Sequence, residues 1–353
     1  MGKSLFKSST GEGGLTEHHL KNGGDLIWQI GTGYFGARTL EGQFDSDLFK
    51  EKSSHANVKM IEIKLSQGAK PGHGGILPAA KVTKEISEIR NVPLGKDVNS
   101  PPAHSAFSTP KELLEFVKQL RDLSGGKPIG FKLCVGKRRE FLAICKAMVE
   151  TNIIPDYIAV DGGEGGTGSA PLEFSNSIGA PLTEALIFVH NALTGFNLRS
   201  KLRVICSGKI ISGFDIVKNM AVGADLCYSA RAMMLAVGCI QSLKCNANTC
   251  PTGVATQDPH YMQALNIEDK AKRTSTFHDS TVESVAEIIG AMGLKKTSDL
   301  KPWHRVRRTD FTEIKNYSEL FEYIESGSLL KEPYPEKWGR AVKSASSTSF
   351  KNS

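Results

Sequence analysis

Tyr157-Ile-Ala-Val160 runs directly into Asp161-Gly162-Gly163-Glu164-Gly165-Gly166-Thr167-Gly168. An unbroken apolar run that ends in a glycine turn reads as a strand buried on both faces, the form found in parallel sheets covered by helices. The same form recurs outward from this stretch. Residues 58–65 and 129–135 precede it, and residues 202–206 and 224–228 follow it. Helical patterns lie between them. Ser108-Thr109-Pro110 places a capping hydroxyl ahead of a first-turn proline and predicts a helix over 112–123. Ser212-Gly213 opens a second, over about 214–221, which Gly223 closes. Such alternation predicts βα units whose ligand loops follow the carboxyl ends of the strands.

The expected fold is therefore α/β, a (β/α)8 TIM-type barrel. Five or six strands can be counted where eight are needed, and the first begins close to the N-terminus, so the barrel is expected to be N-terminally incomplete. With 353 residues the chain can bury one large core. The barrel and its cysteine loop at 239–250 are assigned to residues 1–295, with a C-terminal extension over 296–353. The pattern there weakens into charged segments, and 344–353 reads as a disordered tail. Residues 67–109 are rich in Gly, Pro and His, and so long a stretch without periodicity reads as a shaped, functional loop.

The apolar runs are too short for a membrane span, and the N-terminus has lysines but no apolar run, so no secretory signal is read. A cytoplasmic location with reduced thiols is expected. The formal charge of +7 is scattered, which weighs against nucleic acid and is compatible with a small anionic substrate.

Three of the seven cysteines fall within twelve residues, in Cys239-Ile-Gln-Ser-Leu-Lys-Cys245-Asn-Ala-Asn-Thr-Cys250, and Pro251 follows. Closely spaced thiolates let one loop wrap one iron–sulfur cluster, and the proline cannot continue a helix. Zinc, or three unrelated buried thiols, are the alternatives, although zinc sites usually show two paired C-x₂₋₄-C spacings and only Cys245-x₄-Cys250 has one here. Cys134, Cys145, Cys206 and Cys227 sit in apolar patterns and read as core.

Glycine turns mark a second site. After the turn carrying Gly163 and Gly166, the next two strands end in Ser207-Gly208 and Ser229-Ala230. Backbone amides at successive strand ends make an anion site, and barrels often hold a phosphate there. A cysteine cluster beside it favours flavin mononucleotide over a sugar phosphate.

Together these residues resemble the flavin-binding synthase domain of glutamate synthase, over about 11–259. The motifs are Thr10-Gly-Glu-Gly-Gly14, Gln29-Ile-Gly-Thr-Gly-Tyr-Phe-Gly36, Ile61-Glu-Ile-Lys-Leu-Ser-Gln-Gly-Ala-Lys-Pro-Gly72, Ser100-Pro-Pro-Ala-His104, Gly165-Gly-Thr-Gly168 and Cys250-Pro-Thr-Gly-Val-Ala-Thr-Gln257. Gly72-His-Gly-Gly-Ile-Leu-Pro-Ala-Ala-Lys-Val82 is similar to the short, single-domain branch.

The resemblance implies FMN and a [3Fe-4S] cluster on Cys239, Cys245 and Cys250. It implies formation of L-glutamate from 2-oxoglutarate and ammonia, with electrons from a reductase or ferredoxin. It places Lys70 and Arg90 on the substrate carboxylates, with Gln67 and His104 beside them, and assigns catalysis to Glu12 and Lys70. Gln29 and Lys64 would meet the flavin ring, and Ser207, Gly208, Ser229 and Ala230 its phosphate. His73 and Ile76 replace an acidic residue and a glutamine of the larger enzymes. A relative that forms N-methylglutamate from methylamine would share these motifs, and a non-catalytic cluster-holding subunit is a third reading. A partner chain that supplies ammonia or barrel strands is also expected.

Overall fold

In the computed structural model, which describes residues 7–166 and 168–351, seven strands form one sheet in chain order. They are β1 (Ser8–Ser9), β2 (Leu26–Ile30), β3 (Val58–Lys64), β4 (Ile129–Leu133), β5 (Tyr157–Asp161), β6 (Arg203–Ser207) and β7 (Leu226–Tyr228). Every neighbouring pair is parallel. Sequential parallel order with helical crossovers is the arrangement of an α/β barrel wall. Among the described residues β1 and β7 are the two edges and do not pair with each other. The five expected strands are all present, and β1 and β2 bring the count to seven.

The register sorts side chains by face. Gln29, Glu62, Gly130 and Tyr157 are consecutive partners across β2 to β5 and form one interior layer. Lys64, Lys132, Ala159 and Ile205 form the next, nearer the carboxyl ends. Asp161, Ser207 and Tyr228 top the wall. Gly130 matters in this stack, because a Cβ there would lie 2.6 Å from the Tyr157 ring that crosses it.

Alternate residues point outward and make the main core. Ile61, Ile63 and Phe131 pack there with Leu113, Leu114, Val117 and Leu120 of the helix Pro110–Leu123. Burying each such side chain contributes roughly 1.5–3 kcal/mol. The expected cap of that helix is present: Glu112 N donates to Thr109 Oγ1 (3.2 Å), and Thr109 N donates to Glu112 Oε2 (3.1 Å). Ser212 and Asp215 repeat the device at the helix Gly213–Met220. Reciprocal capping of this kind contributes about 1 kcal/mol.

Three regions differ from expectation. Residues 67–109 are more regular than their composition implies: Ile76–Leu77 pairs with Val98–Asn99, and a helix spans Lys84–Arg90. Phe35, Val82, Val92 and Val98 give this excursion its own small core. A 25-residue helix, Ile267–Ala291, was not anticipated; it packs Ile289 against Val217 and Ala221.

The expected disordered tail is a correction. The helix Glu336–Ser344 buries Trp338 and Val342, and Ala345 and Ser347 are buried beyond it. Lys146 Nζ donates to the carbonyls of Val342 (2.7 Å) and Ala345 (2.8 Å), and Ser347 Oγ donates to Glu150 (2.6 Å). Asn352 and Ser353 lie outside the described residues, as does Thr167 of the glycine turn. Among the described residues no helix is long and apolar enough to cross a membrane.

Candidate functional site

At the carboxyl ends of β3 and β4, cations gather around one carboxylate. Lys64 ends β3, and the register sets Lys132 beside it on the same face. Glu12 arrives from the loop after β1 and pairs with Lys64 Nζ at 3.0 Å. Its approach depends on Gly31, where a Cβ would stand 2.7 Å from Glu12 Oε2. Burial pushes the Glu12 pKa up, but the charge and hydrogen bond of Lys64, then Lys132 and Lys70, outweigh it and hold the group below the ordinary carboxylate range. Burial lowers the Lys64 pKa; Glu12 opposes the fall, and Lys132 and Lys70 add to it. The pair is therefore ionised in a site with surplus positive charge.

The expected substrate residues do converge here. Lys64 Nζ also donates to Gln67 Oε1 (2.5 Å), while the Gln67 amide nitrogen is buried with no partner. Lys70 is nearly buried, and its ammonium donates to the Gly74 carbonyl (3.1 Å). Arg90, in the last turn of its helix, lies over the Phe35 ring at 4.9 Å and against Gly13. Burial lowers its pKa, with Glu12 opposing. One cleft holds Glu12, Lys64, Gln67 and Lys70; a second, of about 170 Å³, holds Glu12, Arg90, Lys81 and Cys245. Glu12 belongs to both.

Two of the expected residues are engaged within the protein. His104 Nε2 lies 2.9 Å from the Lys64 carbonyl and Nδ1 lies 3.2 Å from the Tyr34 hydroxyl. That pattern requires the Nε2–H tautomer, and burial pulls the ring's pKa down to about 4. His104 is thus a neutral positioning residue beneath Lys64. Gln29 Nε2 donates to the fully buried Glu62 (2.6 Å), whose other oxygen accepts from Tyr228 OH (2.8 Å). Glu62 and Lys132 were missed in the sequence. Their signal was the one that singled out Lys64, a lone charge inside an apolar strand.

The glycine turns meet at the ends of β5, β6 and β7. Asp161 accepts from Ser207 Oγ (2.7 Å) and from Gly68 N (2.8 Å), which fastens the loop after β3 to β5. Gly166 and Gly163 leave no room for a side chain, against Ala69 and Gly179 respectively. Gly166, Ser207, Gly208, Ala230 and Arg231 line one cleft, whereas the Ser229 hydroxyl turns away to the Ile210 carbonyl (2.9 Å).

The three cysteines sit on a sharply bent loop, in which Gln241, Leu243 and Asn248 all adopt positive φ. Among the described residues no group of three or more His, Cys, Asp or Glu is disposed to hold a metal ion. The thiols nonetheless feel one another's charge. Burial raises the Cys245 pKa, and Cys239 and Cys250 raise it further by charge repulsion, with Lys81 opposing. At Cys250 burial acts upward, but hydrogen bonds from Thr252 and the backbone of 254–255 bring the thiol below its ordinary value. Lys81 ties the loop down through the carbonyls of Cys245 (2.9 Å) and Ala255 (3.1 Å). Cys134, Cys145 and Cys206 are core residues as expected, and Cys227 is half-buried with its sulfur 3.4 Å from that of Cys206.

A family model described as the conserved region in glutamate synthase matches residues 1–295. The glutamate synthase large subunit-like protein YerD of Bacillus subtilis is 41% identical over 90% of this chain and 60% of its own length. The archaeal-type glutamate synthase (NADPH) of Thermotoga neapolitana is 33% identical over 83% and 55%. The archaeal glutamate synthase (NADPH) of Methanocaldococcus jannaschii is 33% identical over 83% and 54%. The chain thus spans little more than half the length of these relatives. Among solved structures, mandelate oxidase with benzoyl-formic acid aligns with a TM-score of 0.46 at 16% identity, over 84% of this chain and 67% of that one.

Proposed function

The chain belongs to the glutamate synthase family, and from that premise we propose that it carries the flavin and substrate sites of an oxidoreductase that forms L-glutamate from 2-oxoglutarate and ammonia. The observation that carries the reading is the ionised Glu12 ringed by Lys64, Lys70, Lys132 and Arg90, with an unpartnered Gln67 donor beside it. A dianionic 2-oxoacid suits this surplus of fixed cations.

In the proposed site Arg90 and Lys70 hold the two carboxylates, and Lys64 faces the reacting end of the 2-oxoacid. Glu12, as a carboxylate at the junction of both clefts, takes a proton from the incoming nitrogen at Oε2. His104 holds the Lys64 carbonyl, and so the end of β3, in place. The balance is 2-oxoglutarate, ammonia, two electrons and two protons to L-glutamate and water.

FMN fits the residues present: Gly166, Gly208 and Ala230 leave a backbone cradle for its phosphate, and the buried Gln67 amide offers its ring a donor. When bound, FMN supplies the hydride for the imine carbon. Cys239, Cys245 and Cys250 fit a [3Fe-4S] cluster as neighbouring thiols whose mutual repulsion a cation would relieve; such a cluster supplies one-electron transfer from a reductase or ferredoxin. The cleft shared by Arg90 and Cys245 sets that loop next to the substrate site.

The test uses anaerobically purified chain with flavin and iron quantified. Ammonium plus 2-oxoglutarate reoxidises the reduced flavin, Glu12→Gln slows this by about 10²–10⁴-fold, and Cys245→Ser removes the paramagnetic signal of the oxidised cluster. Colourless, iron-free protein, or an unchanged rate in Glu12→Gln, sinks the reading. Reoxidation by methylamine and not ammonium moves the substrate to an N-alkyl amine.

A further inference from the structure

A large cleft is remote from this site. It has a volume of about 710 Å³ and lies at the amino ends of β6 and β7, where the C-terminal extension folds back on the barrel. Its floor is His190, Arg199 and Gly223, and its outer wall is Lys301, Trp303 and Tyr323. The volume is within the range of small-molecule sites.

The floor is electrically closed. Arg199 Nη2 pairs with Asp225 at 2.9 Å and donates to the Gly223 carbonyl at 3.0 Å, and its Nε donates to His190 Nδ1 at 3.2 Å. Gly223 is required for that contact, since a Cβ there would stand 2.8 Å from the His190 ring. The wall is different. The Tyr323 hydroxyl is buried with no partner. Lys301 makes no ion pair among the described residues, while the nearby Glu322 carboxylate is turned to Lys337 at 3.8 Å. The wall therefore presents one unpartnered donor, on Tyr323, and the positive charge of Lys301. A buried donor without a partner is costly, so the Tyr323 hydroxyl points to an acceptor that occupies the cleft. The faces beside them are aromatic, with Phe321 and Tyr323 inside and Trp303 55% exposed at the rim.

We infer that this cleft is a second ligand site, for a small carboxylate on an aromatic body. The carboxylate accepts from Tyr323 OH and faces Lys301, and the ring lies against Phe321 and Trp303. Such a ligand bridges the barrel and the extension and so couples its own binding to their docking. Nothing in this inference depends on the glutamate-forming reaction.

Calorimetric titration of the full chain with phenylacetate tests it, with neutral phenylacetamide as the matched control. Saturable one-to-one binding of phenylacetate is expected, at least about tenfold tighter than the amide. Tyr323→Phe and Lys301→Gln each weaken it by about tenfold or more, and Lys70→Gln, at the other end of the barrel, leaves it unchanged. Lys301 is exposed, so its variant retains the fold if Tyr323→Phe does not. No saturable binding, equal affinity for the amide, or loss in Lys70→Gln without loss in Lys301→Gln overturns the inference.

Discussion

The lysine-lined mouth of the barrel and the cysteine loop share one cleft, through Glu12 and Cys245, yet they are held by opposite means. At the mouth, strand register fixes the groups: Lys64 and Lys132 stand side by side because β3 and β4 pair there, and Glu12, Gln67 and His104 lock onto Lys64 within 3.0 Å. The loop has no register. Its positive-φ residues and its thiols, of which only Cys250 is buried, are tied to the rest chiefly through Lys81 and the hydrogen bonds around Asn248. Where strands position a site, it stands ready without its ligand. Where a bent loop positions one, what it binds must complete the order.

The comparison breaks most easily at Gly68, which joins the mouth to the end of β5. Gly68 N donates to Asp161, and a Cβ on Gly68 would overlap the Gly162 carbonyl, backbone against backbone. No rotamer relieves such a clash. Gly68→Ala is expected to cost about 3 kcal/mol or more in urea unfolding and to abolish flavin retention. A loss under about 1 kcal/mol would mean that the mouth yields as a loop does.

A smaller effect, set by pH, follows from His104. Its folded pKa of about 4 is below the unfolded value of about 6.5. The unfolded chain therefore binds the proton first as pH falls. The stability contribution is complete above about pH 6.5 and is lost as pH falls towards 4. At pH 5.5 the cost relative to pH 7.5 is about 1.4 kcal/mol from this ring alone. His104→Gln should flatten the stability difference between those two pH values by about that amount. An identical slope in the variant would mean that the ring is protonated in place, and that the neutral tautomer beneath Lys64 is wrong.

What the sequence disclosed follows the same divide. Strands β3 to β6 were legible because each carries a run of apolar residues buried in the wall, and β7, only partly buried, through its short apolar run. β1 has only two residues, and β2 carries Gln29, whose burial depends on Glu62 thirty-three residues away. The cations of the mouth were legible through the family motifs. Glu62 and Lys132 carry the same local signal, but their significance appears only when register stacks them into layers with Gln29, Tyr157 and Lys64. The tail was misread because its anchors are distant: Trp338 stacks on Phe188 at 5.3 Å, and Lys146 takes its carbonyls. Neither contact leaves a mark on residues 344–351 themselves.

The smallest expected effect is the sharpest test of the loop. Leu243 is half exposed and held at φ +57°, a conformation that costs a branched side chain about 1–2 kcal/mol. Glycine relieves that strain but gives back about 0.5–1 kcal/mol through the freedom it gains when unfolded. The two nearly cancel, and little packing is lost, since the Leu243 side chain is mostly in solvent. Leu243→Gly is therefore expected to leave the stability of the metal-free chain within about 1 kcal/mol of the parent, with no net loss, in the same urea titration that shows Gly68→Ala to be severe. If Leu243→Gly instead costs 2 kcal/mol or more, the bend is held by packing and not by what the thiols bind. The loop would then be as fully built as the mouth, and the strain at Gln241, Leu243 and Asn248 would be a feature of the resting fold.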